Sequence, residues 1–130
     1  MTMVLTWQGS EVRQVEVTDG TVRVRLSVAS ARRVDSAHPD QGEEGFLGPL
    51  TVVFTHATVR GDLGSALGTL ADGTLSHAGH THRHLALPFS WAPEIHAELA
   101  FCNGTVLHIE AEAVSCSPGT ESRFHESMAC

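Results

Sequence analysis

The chain has 130 residues, of which 42% are hydrophobic, and its formal net charge at pH 7 is -7. This length predicts a single domain with one core, and the apolar fraction argues against a disordered chain. An acidic chain lacks the basic face that binding to nucleic acid or to an anionic membrane surface requires, so we expect neither partner. All the basic residues are arginine, a bacterial-like composition that reflects genome base usage more than function.

The N-terminal stretch and the cysteines indicate a cytoplasmic protein. Residues 1–8 have no basic segment and no sustained apolar run, unlike a signal peptide. No apolar run in the chain approaches the length that spans a membrane. Cys102, Cys116 and Cys130 are too few, and odd in number, for a disulfide framework. We therefore expect reduced thiols and a cytoplasmic location.

Alternating valines predict a first hairpin, which follows a short strand over residues 3–8. The valines lie on both sides of the turn dipeptide Asp19-Gly20. A two-residue type I′ loop there sets Glu16 opposite Arg23, where opposite charges attract. The same register pairs the valines on the other face: Val17 with Val22, and Val15 with Val24.

The next forty residues are less regular. Residues 30–49 have no apolar period and are rich in turn formers and acidic residues, so we expect a flexible loop. Residues 50–60 are dense in β-branched and aromatic side chains and predict a central strand that is covered on both faces. Residues 62–70 are the only helix-like stretch. Asp62 is its expected N-cap, and two glycines limit it to a short helix.

Residues 93–115 are the most regular stretch of the chain. Apolar residues alternate with polar ones on both sides of Asn103-Gly104. A plain two-residue loop would put the two apolar rows on opposite faces of the hairpin, so we expect a three-residue loop with Gly104 in a left-handed conformation. This loop predicts four facing pairs: Leu99 with Leu107, Ala97 with Ile109, Glu98 with His108, and His96 with Glu110.

The remaining segments complete an all-β prediction. Asp72-Gly73 repeats the turn motif of the two hairpins and is expected to begin a strand. Pro88 is expected to interrupt another strand, and residues 121–130 to add a last one, anchored by Phe124 and Met128. About seven or eight short strands, with at most one short helix near 62–70, predict an antiparallel β-sandwich or a partly open β-barrel. We expect one domain over residues 1–130.

The clearest chemical feature is the histidine tract, residues 77–84. On an extended strand, His80, His82 and His84 project to one face in steps of about 6.5–7 Å, and His77 is a lesser candidate. Imidazoles at that spacing suit Zn, Cu or Ni, and no other cofactor is expected. Two other interpretations stay open, namely a polar rim whose histidines face water and an adventitious affinity for added metal.

No catalytic motif accompanies these histidines. The chain has no Gly-x-Ser-x-Gly, no Walker loop and no Cys-x-x-Cys. Trp7 and Trp91 are better explained as core anchors than as a sugar-stacking surface. We therefore favour a protein-binding or self-associating module without catalysis. The alternatives are a metal-binding protein or metal-dependent enzyme that uses the histidine tract, and a barrel that binds a carbohydrate or another small ligand.

Self-association is expected to use a free sheet edge, because exposed strand edges pair readily with another chain. The candidate edges are the strand that Pro88 interrupts and residues 121–130. The latter segment contains no proline, and its charges nearly cancel. We expect a homodimer in which residues 121–130 pair across the two-fold axis or pack against the partner's sheet, which brings two copies of Cys130 together.

Overall fold

Two long antiparallel strands pair with each other in the middle of the sheet. In the computed structural model, which describes residues 2–35 and 37–126, these are β1 (Thr2–Thr18) and β2 (Thr21–Asp35). Their predicted register is confirmed at all three expected pairs. The predicted strand over residues 3–8 is the first half of β1, which continues into the hairpin through an irregular register after Thr6.

The remaining strands of the described chain are shorter. In chain order they are β3 (His38–Leu47), β4 (Leu50–Thr55), β5 (Thr58–Arg60), β6 (Gly68–His77), β7 (His80–His82), β8 (His84–Leu87), β9 (Phe89–Trp91), β10 (Ile95–Phe101), β11 (Val106–Ala111), β12 (Ala113–Cys116) and β13 (Phe124–Glu126).

Strand β3 lies where the flexible loop over residues 30–49 was predicted, and that prediction is wrong. The segment lacks an apolar period, but facing positions of the ladder carry opposite charges. Across the β2–β3 ladder, Arg32 faces Glu44 and Arg33 faces Glu43. Arg33 and Glu43 form an ion pair. Opposite charges at facing positions stabilise a ladder, as apolar pairs do.

The predicted central strand over residues 50–60 bends and divides in two. The bend lies at His56, whose φ is +50°, and it separates β4 from β5. Strand β4 pairs with β2 and β12, whereas β5 pairs with β11. Each half therefore belongs to a different part of the sheet, and one continuous strand is not formed.

The helix-like stretch over residues 62–70 forms only a single 3-10 turn, Leu63–Ser65. Asp62 caps this turn as predicted, because its carboxylate accepts a hydrogen bond of 3.0 Å from the Gly64 N–H. Leu63 and Leu67 are exposed, whereas Leu70 is buried as part of β6. The expected shared apolar face of a longer helix is absent, since the last three residues of the stretch already form a strand.

The hairpin of β10 and β11 has the predicted register. All four expected pairs face each other across the ladder. Gly104 has a φ of +92°, and the Phe101 N–H donates a hydrogen bond of 2.8 Å to the Thr105 carbonyl. The left-handed glycine and the three-residue loop, Cys102 to Gly104, are therefore confirmed.

The turn predicted at Asp72-Gly73 is wrong. Both residues lie inside β6, where Gly73 faces Leu99 of β10. A Cβ atom on Gly73 would lie 2.5 Å from the Cβ of Trp7, a distance that real Cβ atoms do not reach. Glycine stands at this position because the Trp7 side chain approaches the backbone closely, and no reversal of the chain requires it.

The described strands form one open antiparallel sheet, with the order β5-β11-β10-β6-β1-β2-β4-β12-β9. The branches off this path are β13–β3–β2, β7–β6 and β8–β1. The expectation of about seven or eight strands is too low, because bends cut long segments into pieces that pair with different neighbours. The all-β class is confirmed. One cluster of buried apolar residues forms the core, and Trp7, Phe54, Leu99 and Leu107 are fully buried in it.

The C-terminal segment adds a strand as predicted. Strand β13 pairs with β3, with Phe124 facing Leu47, and Phe124 packs against the core. Met128 and Cys130 lie outside the described residues, so the predicted second anchor and the predicted approach of two Cys130 thiols stay predictions. Among the described residues, no helix is long and apolar enough to cross a membrane.

Candidate functional site on the outer face of the sheet

The structure divides the histidine tract among three strands, β6, β7 and β8. His80 and His82 lie on β7, which pairs with β6, whereas His84 begins β8, which pairs with β1. A bend at Arg83 separates the two strands. The expected extended strand therefore ends at His82, and His84 begins the next strand.

His77 and His82 belong to an aromatic cluster around Trp91. The His77 ring stacks on Trp91 with ring centroids 5.7 Å apart, and the His82 ring lies 4.9 Å from the same indole. The Nε2–H of His77 donates a hydrogen bond of 3.1 Å to the Ala92 carbonyl. Phe89 completes the cluster at 5.0 Å from Trp91. These contacts are packing contacts at the margin of the core, because half-buried Trp91 packs against the core cluster.

His80 remains the exposed neighbour of this cluster. Its ring centroid is 6.5 Å from that of His82, and it faces His77 across the β6–β7 ladder. Within residues 2–35 and 37–126, no group of three or more His, Cys, Asp or Glu side chains is arranged to hold a metal ion. Metal binding by His77, His80, His82 and His84 stays a prediction.

His84 lies at the end of a groove on the outer face of the sheet, the face turned away from the core. This outer-face groove has a volume of about 530 Å³. That volume lies within the range of small-ligand sites. The lining residues come from β8, β1, β2 and β3: Val4, Thr6, Gln8, Ser30, Ala31, Arg32, Val34, Glu44, Gly45, Phe46 and His84.

The ladder registers arrange this surface in rows that cross the strands. One row contains five facing residues from β8 to β13, namely His84, Thr6, Ser30, Phe46 and His125. A hydrogen bond of 3.0 Å joins the Thr6 hydroxyl to Nδ1 of His84. Phe46 is 42% exposed, which is unusual for a phenylalanine in the middle of a row. The row therefore presents an aromatic ring between two imidazoles.

The next row carries two opposite charges. Arg32 faces Glu44, but neither side chain forms an ion pair with any described residue. The Nε atom of Arg32 is buried and has no described hydrogen-bond partner. The Nε atom of Arg33 is likewise buried without a described partner, but the Arg33 guanidinium is paired with Glu43 and lies 4.7 Å from the centre of the Phe124 ring. Among the described residues, Arg32 and Glu44 are therefore the facing charges of this ladder that form no ion pair.

Sequence reasoning missed Arg32, Glu44 and Phe46, because it assigned residues 30–49 to a flexible loop. The charge pattern of this segment could have predicted the β2–β3 ladder. Two adjacent arginines precede a turn, and two adjacent glutamates follow it, so that an antiparallel register can pair each arginine with a glutamate. Gly42 also packs closely, since a Cβ there would lie 2.0 Å from the Arg32 Nε.

Comparison of this chain with protein-family models, curated proteins and solved structures finds no match.

Proposed function

We propose that this protein is a non-catalytic binding module that forms a homodimer through β13 and presents the outer face of the sheet to a protein partner. The observation that carries the proposal is the position of β13. This strand has one ladder partner among the described residues, β3, and its other edge is free within that part of the chain.

The register identifies the backbone groups that this edge offers. The Gly48 N–H donates a hydrogen bond of 2.8 Å to the Arg123 carbonyl, so Arg123 turns its backbone towards β3. Residues of an antiparallel strand alternate between facing one neighbour and facing the other. Phe124 and Glu126 therefore direct their N–H and C=O groups away from β3, where a second strand can pair with them.

A second copy of β13 matches these groups. An antiparallel pair centred on His125 sets Phe124 of one copy opposite Glu126 of the other, and both residues turn their hydrogen-bonding groups to the shared edge. This pairing continues the sheet from one protomer into its partner. The two-fold axis then stands perpendicular to the sheet, so both outer-face grooves open on the same side. Exposed Phe46 lies next to the shared edge, facing His125.

The test measures mass by light scattering and sedimentation over a range of protein concentrations. Glu126→Pro removes the outward N–H of the edge and should yield a monomer, because proline cannot donate to the new ladder. Glu126→Ala is the matched control, since it removes the same charge but keeps the N–H, and it should stay dimeric. A parent protein that is monomeric at high concentration, or a proline variant that stays dimeric, contradicts the proposal.

We also infer that the open sheet bends over on itself as a sandwich does. Support comes from strands that lie far apart in the sheet order but contribute to one core, such as β4 with Phe54 and β11 with Leu107. Trp7 of β1 also lies against Gly73 of β6.

A metal-binding role for the histidine tract is the alternative function. The proximity of His80 to His82 and of His80 to His77 supports it. Metal analysis of protein purified without a nickel column tests this role. Zinc, copper or nickel at one equivalent that is lost in the triple variant His77→Ala, His80→Ala, His82→Ala supports it, whereas a substoichiometric content that the substitutions leave unchanged removes it.

A further inference from the structure

A second groove lies between the middle of the β1–β2 hairpin, the start of β4 and the segment that follows β12. This groove, called here the arginine groove, has a volume of about 460 Å³. Its polar lining includes Arg13, Arg25, Thr51, Ser117, Thr120 and Glu121. None of these residues lines the outer-face groove. The arginine groove is thus a separate site, and nothing in the proposed dimer uses it.

The two arginines concentrate positive charge at this point of an acidic chain. Arg13 is exposed and forms no ion pair with a described residue. Arg25 lies 3.5 Å from Glu16, and both side chains are more than one-third exposed. An exposed pair of this kind is weak in water, so the Arg25 guanidinium is free to exchange partners. Glu121 is the only acidic residue in the lining.

Three hydroxyl groups lie beside the arginines without a described partner. The side chains of Thr51, Ser117 and Thr120 form no hydrogen bond within residues 2–35 and 37–126, and all three line the groove. Ser122 holds the segment in place, since it donates a hydrogen bond to the Pro49 carbonyl and accepts one of 3.1 Å from the Gly119 N–H. These hydrogen bonds hold the segment that carries Thr120 against Pro49.

Exposed Pro49 provides the apolar surface of the lining. Leu26 and Leu50 also border the groove, but both are buried and turn towards the core, because their strand neighbours Arg25 and Thr51 occupy the opposite face. A small-ligand site typically combines apolar surface with a few convergent polar groups. The ligand that fits has an anionic group beside the arginines and a short apolar group beside Pro49.

We propose that the arginine groove binds a small organic phosphate monoester. Two guanidinium groups and three hydroxyls supply more donors than the two oxygens of a carboxylate can accept, whereas a phosphate has three strong acceptor oxygens. Guanidinium groups match phosphate oxygens with two parallel hydrogen bonds. The phosphate lies against Arg13 and Arg25, and the ester substituent lies against Pro49.

The test titrates phenyl phosphate into the full chain and follows binding by calorimetry. We expect saturable binding to the parent protein, and binding about tenfold weaker in Arg13→Gln and in Arg25→Gln, the usual effect of losing one charge-assisted hydrogen bond. Glu121→Gln should tighten binding, because it removes the negative charge from the lining. Arg60→Gln is the matched control, since it removes an arginine on β5 that is outside this groove and should leave binding unchanged.

Three results would overturn the proposal. The first is the absence of saturable binding of phenyl phosphate. The second is an affinity that Arg13→Gln and Arg25→Gln change no more than Arg60→Gln does, which indicates a general attraction of anions to arginine. The third is equal affinity for benzoate, because the donor set then does not distinguish a phosphate from a carboxylate. A lower affinity for benzoate supports the assignment to phosphate.

Discussion

The side chain of Trp7 lies against the bare backbone of Gly73, and this contact connects β1 to β6 in the core. Trp7 is fully buried, and its indole N–H has no described hydrogen-bond partner. The tryptophan is retained in spite of that cost, about 1–3 kcal/mol for an unsatisfied buried donor. Packing of the large ring therefore stabilises this part of the core, and it does so only while position 73 lacks a side chain.

Gly73→Ala should lower the free energy of unfolding by about 1–3 kcal/mol, the usual cost of overpacking a core. The added methyl would lie 2.5 Å from the Trp7 Cβ, which is close to the backbone and cannot swing away. Gly119→Ala is the control, because nothing lies within 4 Å of a Cβ there. Urea unfolding measures both variants. Equal stability of Gly73→Ala and Gly119→Ala would show that Trp7 does not constrain position 73.

Cys116 provides a prediction about alkaline pH. This buried thiol is 2% exposed, and burial raises its pKa to about 12 from the ordinary value of 9.0. Between these values the unfolded chain releases the thiol proton and the native chain keeps it, so the native state binds more protons and stability falls as pH rises. The stabilisation is complete below about pH 9 and is lost towards pH 12, by at most about 1.4 kcal/mol per pH unit.

This chain suits the measurement because it has no lysine and no tyrosine, the residues that ordinarily titrate in the same range. Urea unfolding at intervals from about pH 8 to pH 10.5 should show a decline in the free energy of unfolding. Cys116→Ala should be less stable at neutral pH but should show a shallower decline. If the free energy of unfolding falls with pH at the same rate in the parent and in Cys116→Ala, the Cys116 thiol does not cause the decline.

At the scale of elements, apolar alternation around a turn dipeptide predicted two hairpins, whereas the β2–β3 hairpin, which lacks that alternation, was missed. The registers of β1–β2 and β10–β11 followed from valine and leucine alternation around Asp19-Gly20 and Asn103-Gly104, and both are confirmed. The bends at His56 and Arg83 could not be predicted, because they depend on which distant strand each half joins. The sequence indicated His84 as a candidate but not Arg32 and Phe46 of the same groove, because residues 30–49 lack the apolar alternation that predicts a strand.

Substitutions on the two opposite faces of β10 should differ strongly in their effect on stability. Leu99 is fully buried, and Leu99→Ala should lower the free energy of unfolding by about 2–5 kcal/mol. His96 is exposed and lies 3.7 Å from Glu110, so His96→Ala should cost at most about 1 kcal/mol, the usual limit for an exposed pair. Thermal or urea denaturation measures both. Similar losses at the two positions would contradict the assigned inner and outer faces of this strand.

At the scale of the whole molecule, β1 connects parts of the chain that are far apart in sequence. Its second half pairs with β6, and its first half pairs with β8. Likewise, β4 pairs with β12. Few of these ladders can form before most of the chain is present. Such non-local pairing places the protein among slowly folding β-proteins, with folding times of about milliseconds to seconds.

The pairing of β1 with β8 also has a consequence during protein synthesis. Thr6 and His84, which are hydrogen-bonded in the folded protein, are 78 residues apart. At about 5–20 residues per second, a ribosome needs roughly 4–16 s to add that length of chain. During this interval the first residues of β1 have left the ribosome without one of their two neighbours. The nascent chain therefore exposes an incomplete strand edge, which a chaperone can cover until β8 emerges.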